Sequence, residues 1–598
     1  MQPDTFRKVL AAFRGLFGSY KRSIAVLFIL GLLGGLLESV GVSILVPLFA
    51  HILQQPLAGT GFIIDAFEWF FAVTGLEMRL KVLLPLIVIA FAFRGLVQWG
   101  FDYMRTSITT DYERNMRRDL YHKLLAADWS FLIKQKLGHA ENEMMVGVTA
   151  TTKLLSNITS SILSVTSLCA YIAVALTISV GMTLATIVAG GVVLFMFKPF
   201  LRKARRYGGV MVTIGKELAH DINESVLGLK SIKATARERA VGERMLAVLD
   251  RFRSMRMKQV MMAAVTKASV QPLSVLIVAA AFAYAFNRPG FDLASFIVII
   301  FLIQRIFLYV DRAQSTLQEI NQEIPFASSV IRFMHAFDEH KEKRTGTEPF
   351  LFNDKIEFRD VSFWYREKDP VLSHVTLTIR KGETLGIIGP SGAGKTTIAD
   401  LLLRLLRPTA GSVTMDAVPF DHIALTAWRE RIAYVSQNFF LLNDSIANNV
   451  RFYDDSIDEE AVQKVLEVVE LTSVIAKLPQ GIHTSVGEQG IELSAGQRQR
   501  IALARALAQK PDVLILDEAT SSLDGESERA IHDALQKLHG SITMVIIAHR
   551  LSTVMETDRI AVVEEGGIAE VGAPQELLAD KSSYFYRLTH LQSQEPST

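Results

Sequence analysis

The sequence has little cysteine and little charge. Cys169 is the only cysteine among 598 residues, so the chain forms no internal disulfide and is not a disulfide-stapled secreted domain. Only 21% of the residues are Asp, Glu, Lys or Arg, and half are hydrophobic, which excludes intrinsic disorder. The apolar neighbours of Cys169 predict a small buried side chain and not a reactive thiol.

An excess of charge of either sign is also missing. Lys and Arg number 63 and Asp and Glu 61, for a formal net charge of +2. This balance gives no global attraction to nucleic acid. The mean hydropathy of +0.27 indicates burial in a membrane.

Long stretches of the first half carry no charge at all. No Asp, Glu, Lys, Arg or His lies between Lys153 and Lys198, and none lies between Lys267 and Arg288. A membrane-spanning helix needs about 20 apolar residues, so the first stretch predicts two spans with a turn near residues 180–182. With three further apolar stretches, the prediction is six spans at about 23–50, 82–109, 157–179, 182–201, 265–287 and 293–312.

Basic residues set the expected orientation. They concentrate before the first span and in the segments 114–136 and 198–267. Since basic loops stay in the cytoplasm, both termini are expected there. The two long segments have helical periodicity, so the spans should continue past the bilayer as helices. We expect an integral plasma-membrane protein, in the inner membrane of a bacterium.

Composition divides the chain into a helical membrane domain over 1–337, a linker over 338–354 and an α/β domain over 355–598. In the α/β domain, short β-rich runs alternate with helical ones. The residues 389–396, Gly-Pro-Ser-Gly-Ala-Gly-Lys-Thr, follow an apolar strand and precede a helix. This is a phosphate-binding loop, in which Lys395 reaches the β- and γ-phosphates and Thr396 offers an oxygen to Mg²⁺. The residues expected to bind ATP here are Gly389, Ser391, Gly392, Gly394, Lys395, Thr396 and Thr397.

Two further motifs belong with the loop. The apolar run 513–516 ends in Asp517 and Glu518, which predicts a metal-binding carboxylate and a group that polarises the attacking water. Ser494 opens a helical run and is expected to be its N-cap, with the helix start as an anion site. Each motif alone is also compatible with an ordinary strand end or helix cap.

Together, these motifs resemble an ATP-binding cassette. With six spans before it, the chain resembles a homodimeric half-transporter of the type IV exporter class. The resemblance implies that two cassettes face each other, with each ATP held between the phosphate loop of one copy and Ser494, Gly496 and Gln497 of the other. Ala495 stands where the family usually has glycine, and we expect this change to be tolerated.

The resemblance also implies roles for isolated residues. Tyr365 would stack on adenine, Gln437 would contact Mg²⁺ and sense the γ-phosphate, and Glu488 would lie in the segment that meets the membrane domain. Asp524 would link the two ATP sites, and His549 would contact the γ-phosphate. The segments 126–132 and 223–232 resemble coupling helices, with Trp129 and Phe131 as apolar plugs in a cassette groove.

The expected function is ATP-driven export or flipping of amphipathic, lipid-like substrates by alternating access. Multidrug or peptide export is the alternative, and an ATP-gated channel is a further one; action on nucleic acid is not expected. Glu38 lies near the middle of the first span, where a charge is costly and marks either a transport pathway or a contact between helices. Arg94, Asp102, Arg105 and Arg305 could pair with Glu38 or contact an anionic head group, and Arg94 and Arg305 join Glu38 as the candidate substrate-site residues.

Overall fold

The structure is a computed structural model. It describes residues 20–44, 48, 69, 71–75, 80–135, 137–286, 293–366, 369–437, 440–518, 525–548, 551–587 and 589. The chain divides into two compact units. The helical unit comprises Met1–Ala127 and Ile133–Lys341, and the cassette unit comprises Asp128–Leu132 and Glu342–Thr598.

The first unit is built from long helices. Their bounds, together with those of the short helices between them, are α1 Lys21–Ser43, α2 Leu80–Leu125, α3 Trp129–Leu132, α4 Leu137–Asn142, α5 Val148–Ile178, α6 Val180–Met196, α7 Lys198–Leu227, α8 Leu229–Ala234, α9 Glu238–Phe286 and α10 Leu293–Glu339. A π-helical turn, Glu143–Gly147, joins α4 to α5. The helix α3 belongs to the cassette unit by its contacts.

The long helices turn apolar side chains outward. Among the described residues, five helical segments are long and apolar enough to cross a membrane. In the most apolar 18-residue stretch of each, only 11–33% of the residues are buried inside the protein. Apolar surface on this scale is stable only in lipid. These segments contain the second and fourth predicted spans and overlap the first, third and fifth, and the sixth falls in α10. The six-span count stays a prediction.

Two details differ from the sequence-based expectation. The chain turns at Ser179, whose extended backbone (φ −153°, ψ 106°) separates α5 from α6, so the residues 180–182 already belong to α6. Cys169 is exposed on α5 and not buried. An apolar neighbourhood in the sequence does not distinguish a buried position from a lipid-facing surface, which explains the wrong prediction.

Close packing of α1 against α5 determines the position of Glu38. A Cβ atom added at Gly35 would lie 2.8 Å from the Cα atom of Ser167, so only glycine allows this approach. One turn further along α1, the Ser39 hydroxyl donates to the Gly35 carbonyl at 2.7 Å. Small residues at helix crossings are typical of membrane bundles. The crossing holds Glu38 inside the bundle.

The cassette unit contains two sheets. Its strands are β1 Lys355–Arg366, β2 Asp369–Arg380, β3 Thr384–Ile388, β4 Ala410–Met415, β5 Val418–Pro419, β6 Ile432–Val435, β7 Val513–Asp517, β8 Thr543–Ile547, β9 Arg559–Glu564 and β10 Gly567–Gly572. One sheet has the order β2-β1-β4-β5, and the other has the order β10-β9-β3-β8-β7-β6.

The second sheet positions the nucleotide motifs. Strands β3, β8, β7 and β6 are parallel neighbours, so their carboxyl ends meet at one edge. Every residue of β3, β7 and β8 is buried, which matches their continuous apolar sequence. The phosphate loop follows β3, Asp517 ends β7 with Glu518 directly after it, and Gln437 lies two residues after β6. Ligands bind at such an edge in open α/β sheets.

The helices of the cassette unit surround this sheet. Their bounds are α11 Lys395–Leu402, α12 Leu425–Arg429, α13 Ile446–Arg451, α14 Glu459–Val468, α15 Thr472–Ile475, α16 Ala495–Ala508, α17 Gly525–Leu538, α18 Leu551–Val554 and α19 Pro574–Ala579. The helical membrane domain and the α/β cassette confirm the predicted fold class.

Candidate functional site

The phosphate loop runs from β3 into α11. Gly389 has a φ of 152°, and a Cβ atom there would lie 2.1 Å from the Val563 carbonyl oxygen, so the turn needs glycine. Lys395 begins α11 and is 6% exposed. Its ammonium group donates to the carbonyls of Gly389 and Pro390, at 2.9 Å each. Burial lowers the pKa of Lys395, while the charges of Glu518 and Asp517 oppose that shift.

The two acids at the end of β7 have different surroundings. Asp517 is 5% exposed, and burial raises its pKa, while hydrogen bonds from Thr396 and Tyr434 act in the opposite direction. Glu518 has a φ of 49°, which turns the chain sharply out of the strand. The Gln437 amide donates to the Glu518 carboxylate. The structure therefore brings together four predicted residues: Lys395, Gln437, Asp517 and Glu518.

Two residues of this site were not predicted from the sequence. The Tyr434 hydroxyl lies 3.3 Å from Asp517 Oδ2, and Asp400 on α11 is a second carboxyl group near Asp517. Burial, and then the charge of Asp517, raises the pKa of Asp400 to about 6. The sequence signal for Asp400 was its place four residues after Thr396, on the same side of α11.

The side chains fit a magnesium ion. The hydroxyl of Thr396, the amide oxygen of Gln437 and the carboxylate of Asp517 are all oxygen donors, the kind that Mg²⁺ prefers. The hydrogen bond between Thr396 and Asp517 brings two of the three donors together. Asp517 and Glu518 supply negative charge at the same sheet edge.

The residues 494–497 form the signature segment, which begins α16 with Ser494 as the predicted N-cap. Ser494 is the N-cap: its hydroxyl accepts from the Gln497 N–H at 3.2 Å, and the Gln497 side-chain oxygen accepts from the Ser494 N–H at 3.0 Å. This reciprocal capping box pre-forms the helix start. Gly496 is buried, and Ala495 fits as the first helical residue.

The other predicted ATP-site residues are placed as follows. Tyr365 is half-buried, and its ring meets Phe363 edge-on with the centroids 4.9 Å apart. Ser391 and Gly392 are exposed in the loop, whereas Thr397 is buried in α11. Glu488 is exposed and begins a 3₁₀ turn. His549 and Asp524 lie outside the described residues.

A second charged cluster lies in the helical unit. Glu38 on α1 is 1% exposed. Its carboxylate is 2.8 Å from Arg94 Nη2 on α2 and 3.6 Å from Arg305 Nη1 on α10, and it accepts a 2.8 Å hydrogen bond from the Tyr309 hydroxyl. Tyr309 was missed in the sequence, although it follows Arg305 by one helical turn.

The two segments that resemble coupling helices differ in exposure. In the first, Asp128 caps the short helix α3 by accepting from the Ser130 N–H at 2.8 Å, and Trp129 is 40% exposed. In the second, the chain bends between α7 and α8, and the bend exposes apolar side chains. They are Val226, Leu227 and Leu229, at 65%, 73% and 52% exposure.

A phosphate loop, a carboxylate pair and a capped signature helix, on one chain with apolar membrane helices, define an ATP-hydrolysing membrane transporter. The family model described as ABC transporter matches residues 372–521, and the one described as ABC transporter transmembrane region matches residues 24–307. The chain belongs to the ABC transporter family. This result confirms the predicted ATPase coupled to transport.

Known proteins of this family align along most of the chain. An ATP-dependent lipid A-core flippase of Bordetella avium is 31% identical, with 93% of each chain covered. The heterocyst differentiation ATP-binding protein HepA of Nostoc is 27% identical, with 83% of each covered. A solved structure of a bacterial Atm1-family ABC exporter with ATP bound has a TM-score of 0.79 at 22% identity, covering 97% of this chain and 99% of that one. That likeness supports the exporter fold.

Proposed function

We propose that the chain flips or exports an amphipathic, lipid-like molecule with an anionic head group, driven by ATP hydrolysis. The cluster of Glu38, Arg94 and Arg305 carries the proposal, because it places two guanidinium groups around one buried carboxylate among the predicted spans. Ionisable residues at this depth mark a transport pathway by default. The relatives named lipid A-core flippases support the same substrate class.

The cluster has more positive than negative charge. The side chains of Arg94 and Arg305 are 31% and 33% exposed, whereas that of Glu38 is 2% exposed. One carboxylate balances only one of the two cations, and both cations remain accessible. Guanidinium groups bind phosphate through two parallel hydrogen bonds. A phosphorylated head group therefore suits this cluster better than a neutral or cationic drug does.

In the cassette, we assign Glu518 to polarise the attacking water and Lys395 to hold the β- and γ-phosphates. Thr396, Gln437 and Asp517 would hold Mg²⁺, which neutralises phosphate charge when bound. In this assignment, the hydrogen bond from Gln437 to Glu518 joins the proposed metal ligand to the proposed catalytic carboxylate. A shift of Gln437 on nucleotide binding would therefore change the hydrogen bonding of Glu518 directly.

A second copy of the chain completes each ATP site in this proposal. Ser494, Gly496 and Gln497 of one copy would contact the γ-phosphate held by the other, with His549 and Asp524 in the roles that the family resemblance implies. The exposed apolar bend at Val226, Leu227 and Leu229 offers a surface for the partner's cassette. We place both termini in the cytoplasm and the helices in a bacterial inner membrane.

ATPase activity of the full chain in proteoliposomes tests the substrate class. The panel contains a phosphorylated glycolipid, a neutral glycolipid, a phospholipid and a cationic hydrophobic drug. We expect the phosphorylated amphiphiles to stimulate hydrolysis most. Stimulation by the drug alone would contradict the proposal and favour multidrug export.

Substitutions in the charged cluster test the site itself. Glu38→Gln and the double variant Arg94→Gln/Arg305→Gln should change substrate-stimulated hydrolysis more than basal hydrolysis. Arg105→Gln is the matched control, because Arg105 lies on the same helix as Arg94 but pairs with Asp102 at 3.2 Å. An equal effect on basal and stimulated rates would give the cluster a structural role only.

A further inference from the structure

Arg505 joins the signature helix to the segment that follows Gln437. It lies near the end of α16 and donates three hydrogen bonds across to another part of the cassette. Its guanidinium group reaches the Phe440 carbonyl at 2.7 Å, the Asn449 carbonyl at 2.9 Å and the Asn449 side-chain oxygen at 3.1 Å. Hydrogen bonds from a charged donor are roughly twice as strong as neutral ones.

The acceptors of these bonds are themselves held in place. Asn449 is fully buried, and its amide group donates to the carbonyls of Leu442 and Ser445 at 3.0 Å each. The Asn449 oxygen also accepts from the Leu442 N–H at 2.8 Å. Asn449 therefore fixes the chain from Leu442 to α13, and Arg505 fixes that chain to α16.

An aromatic ring also contacts the guanidinium group. The Arg505 Cζ atom lies 4.2 Å from the centroid of the Phe452 ring, which is a cation–π contact. Phe452 holds this position in a left-handed backbone conformation, with a φ of 43°. Bulky residues adopt that conformation only when the surroundings enforce it.

The geometry connects two parts of the ATP machinery. Phe440 comes three residues after Gln437, which contacts Glu518. Ser494 caps the other end of α16, about 16 Å from Arg505 along a helix of 1.5 Å rise per residue. Because α16 is a continuous helix, a displacement of Phe440 moves the signature segment as long as the Arg505 hydrogen bonds stay intact.

We propose that Arg505 is a positioning residue that makes the Gln437 segment and the signature helix move as one body. Gln437 serves the ATP of its own cassette, and the signature segment serves the ATP of the second copy, so Arg505 would couple the two sites. The proposal rests on the proposed function, from which the roles of Gln437 and Ser494 are taken.

Arg505→Lys tests this role, since it keeps the charge but loses the forked hydrogen bonds. We expect kcat for ATP to fall about tenfold, with KM changed less than twofold. In a Glu518→Gln background, the ATP-occluded dimer should form more slowly by a similar factor, with unchanged ATP affinity. Arg500→Lys is the matched control: Arg500 lies on the same helix but donates to the Glu470 carbonyl at 2.9 Å, and its kcat should stay near that of the wild type.

A structural role alone predicts a different pattern. If kcat falls only together with the thermal midpoint, or if Arg500→Lys causes an equal loss, the coupling role is wrong. Wild-type kcat and occlusion rate in folded Arg505→Lys would also overturn it. If that variant fails to fold, Phe452→Leu replaces it in the test, because it weakens only the contact between the ring and Arg505. This variant must also slow formation of the occluded dimer, and a wild-type rate overturns the proposal. Turnover retained by Glu518→Gln itself would instead contradict the proposed function.

Discussion

The two units place their carboxylates in different settings. In the helical unit, Glu38 and Glu143 are each 1% exposed and each is paired inside the bundle: Glu38 with arginines, and Glu143 with Lys216 at 2.5 Å and the hydroxyl of Ser329. In the cassette, Asp517 lies close to Asp400 and Glu518, and burial raises its pKa. The helical unit pairs these two acids with its own cations, whereas the cassette concentrates acids beside the phosphate loop.

This difference in charge balance has a physical reason in each unit. A carboxylate buried inside a helix bundle is cut off from water, so each buried acid needs a partner within the bundle. A magnesium nucleotide brings its own cation, and a site for it must keep oxygen donors close together. We therefore expect substitutions of cassette acids to affect turnover and those of Glu143 to affect stability.

The largest effect is expected for Glu518→Gln. Because Glu518 is proposed to polarise the attacking water, its loss should lower phosphate release at least about 100-fold, while ATP still binds and an occluded dimer accumulates. Phosphate release and retention of labelled ATP measure these two effects. Glu467→Gln, the same change on an exposed position of α14, should leave both unchanged. Near-normal phosphate release by Glu518→Gln would contradict the expectation that the cassette acids serve turnover.

The next effect concerns Glu143. It lies in the π-helical turn, and it joins α7 through Lys216 and α10 through Ser329. Glu143→Ala should reduce the free energy of unfolding by about 2–3 kcal/mol, because Lys216 and Ser329 lose a buried partner. Thermal unfolding in detergent measures the loss. Glu141→Ala, two residues away and exposed, is the control, and an equal loss there would show that any change in this helix has the same consequence.

The smallest effect follows from Asp400, whose pKa in the folded cassette is raised to about 6. The folded state therefore holds a proton that the unfolded chain releases near pH 4, so this group favours folding at low pH and the benefit is lost as pH rises through 6. Asp400→Asn should stabilise the protein by about 1 kcal/mol at pH 8 and by almost nothing at pH 4. Unfolding curves across this range test it, and a stabilisation independent of pH would exclude the electrostatic cause.

Local patterns predicted the cassette site well and the helical unit less completely. The phosphate loop, the Asp517–Glu518 pair and the Ser494 cap each depend on neighbours within a few residues, and the structure has all of them in the expected elements. The Glu143 cluster joins residues from three helices that are far apart in the sequence, so no local pattern could show it. The part of Tyr309 in the Glu38 cluster was missed for the same reason. The exposure of Cys169 was missed because an apolar neighbourhood fits both the protein interior and a lipid-facing surface.

Short-range chemistry thus determined the transporter class: apolar runs long enough for lipid, and a glycine-rich loop between a strand and a helix. Helix packing alone decided that Glu38 meets Arg94, Arg305 and Tyr309, because those residues come together only when α1, α2 and α10 are side by side. The same holds for Arg505, whose contacts with Phe440 and Asn449 span more than fifty residues of sequence. Sequence periodicity shows which side of a helix is apolar, but only the folded chain determines which helix covers it.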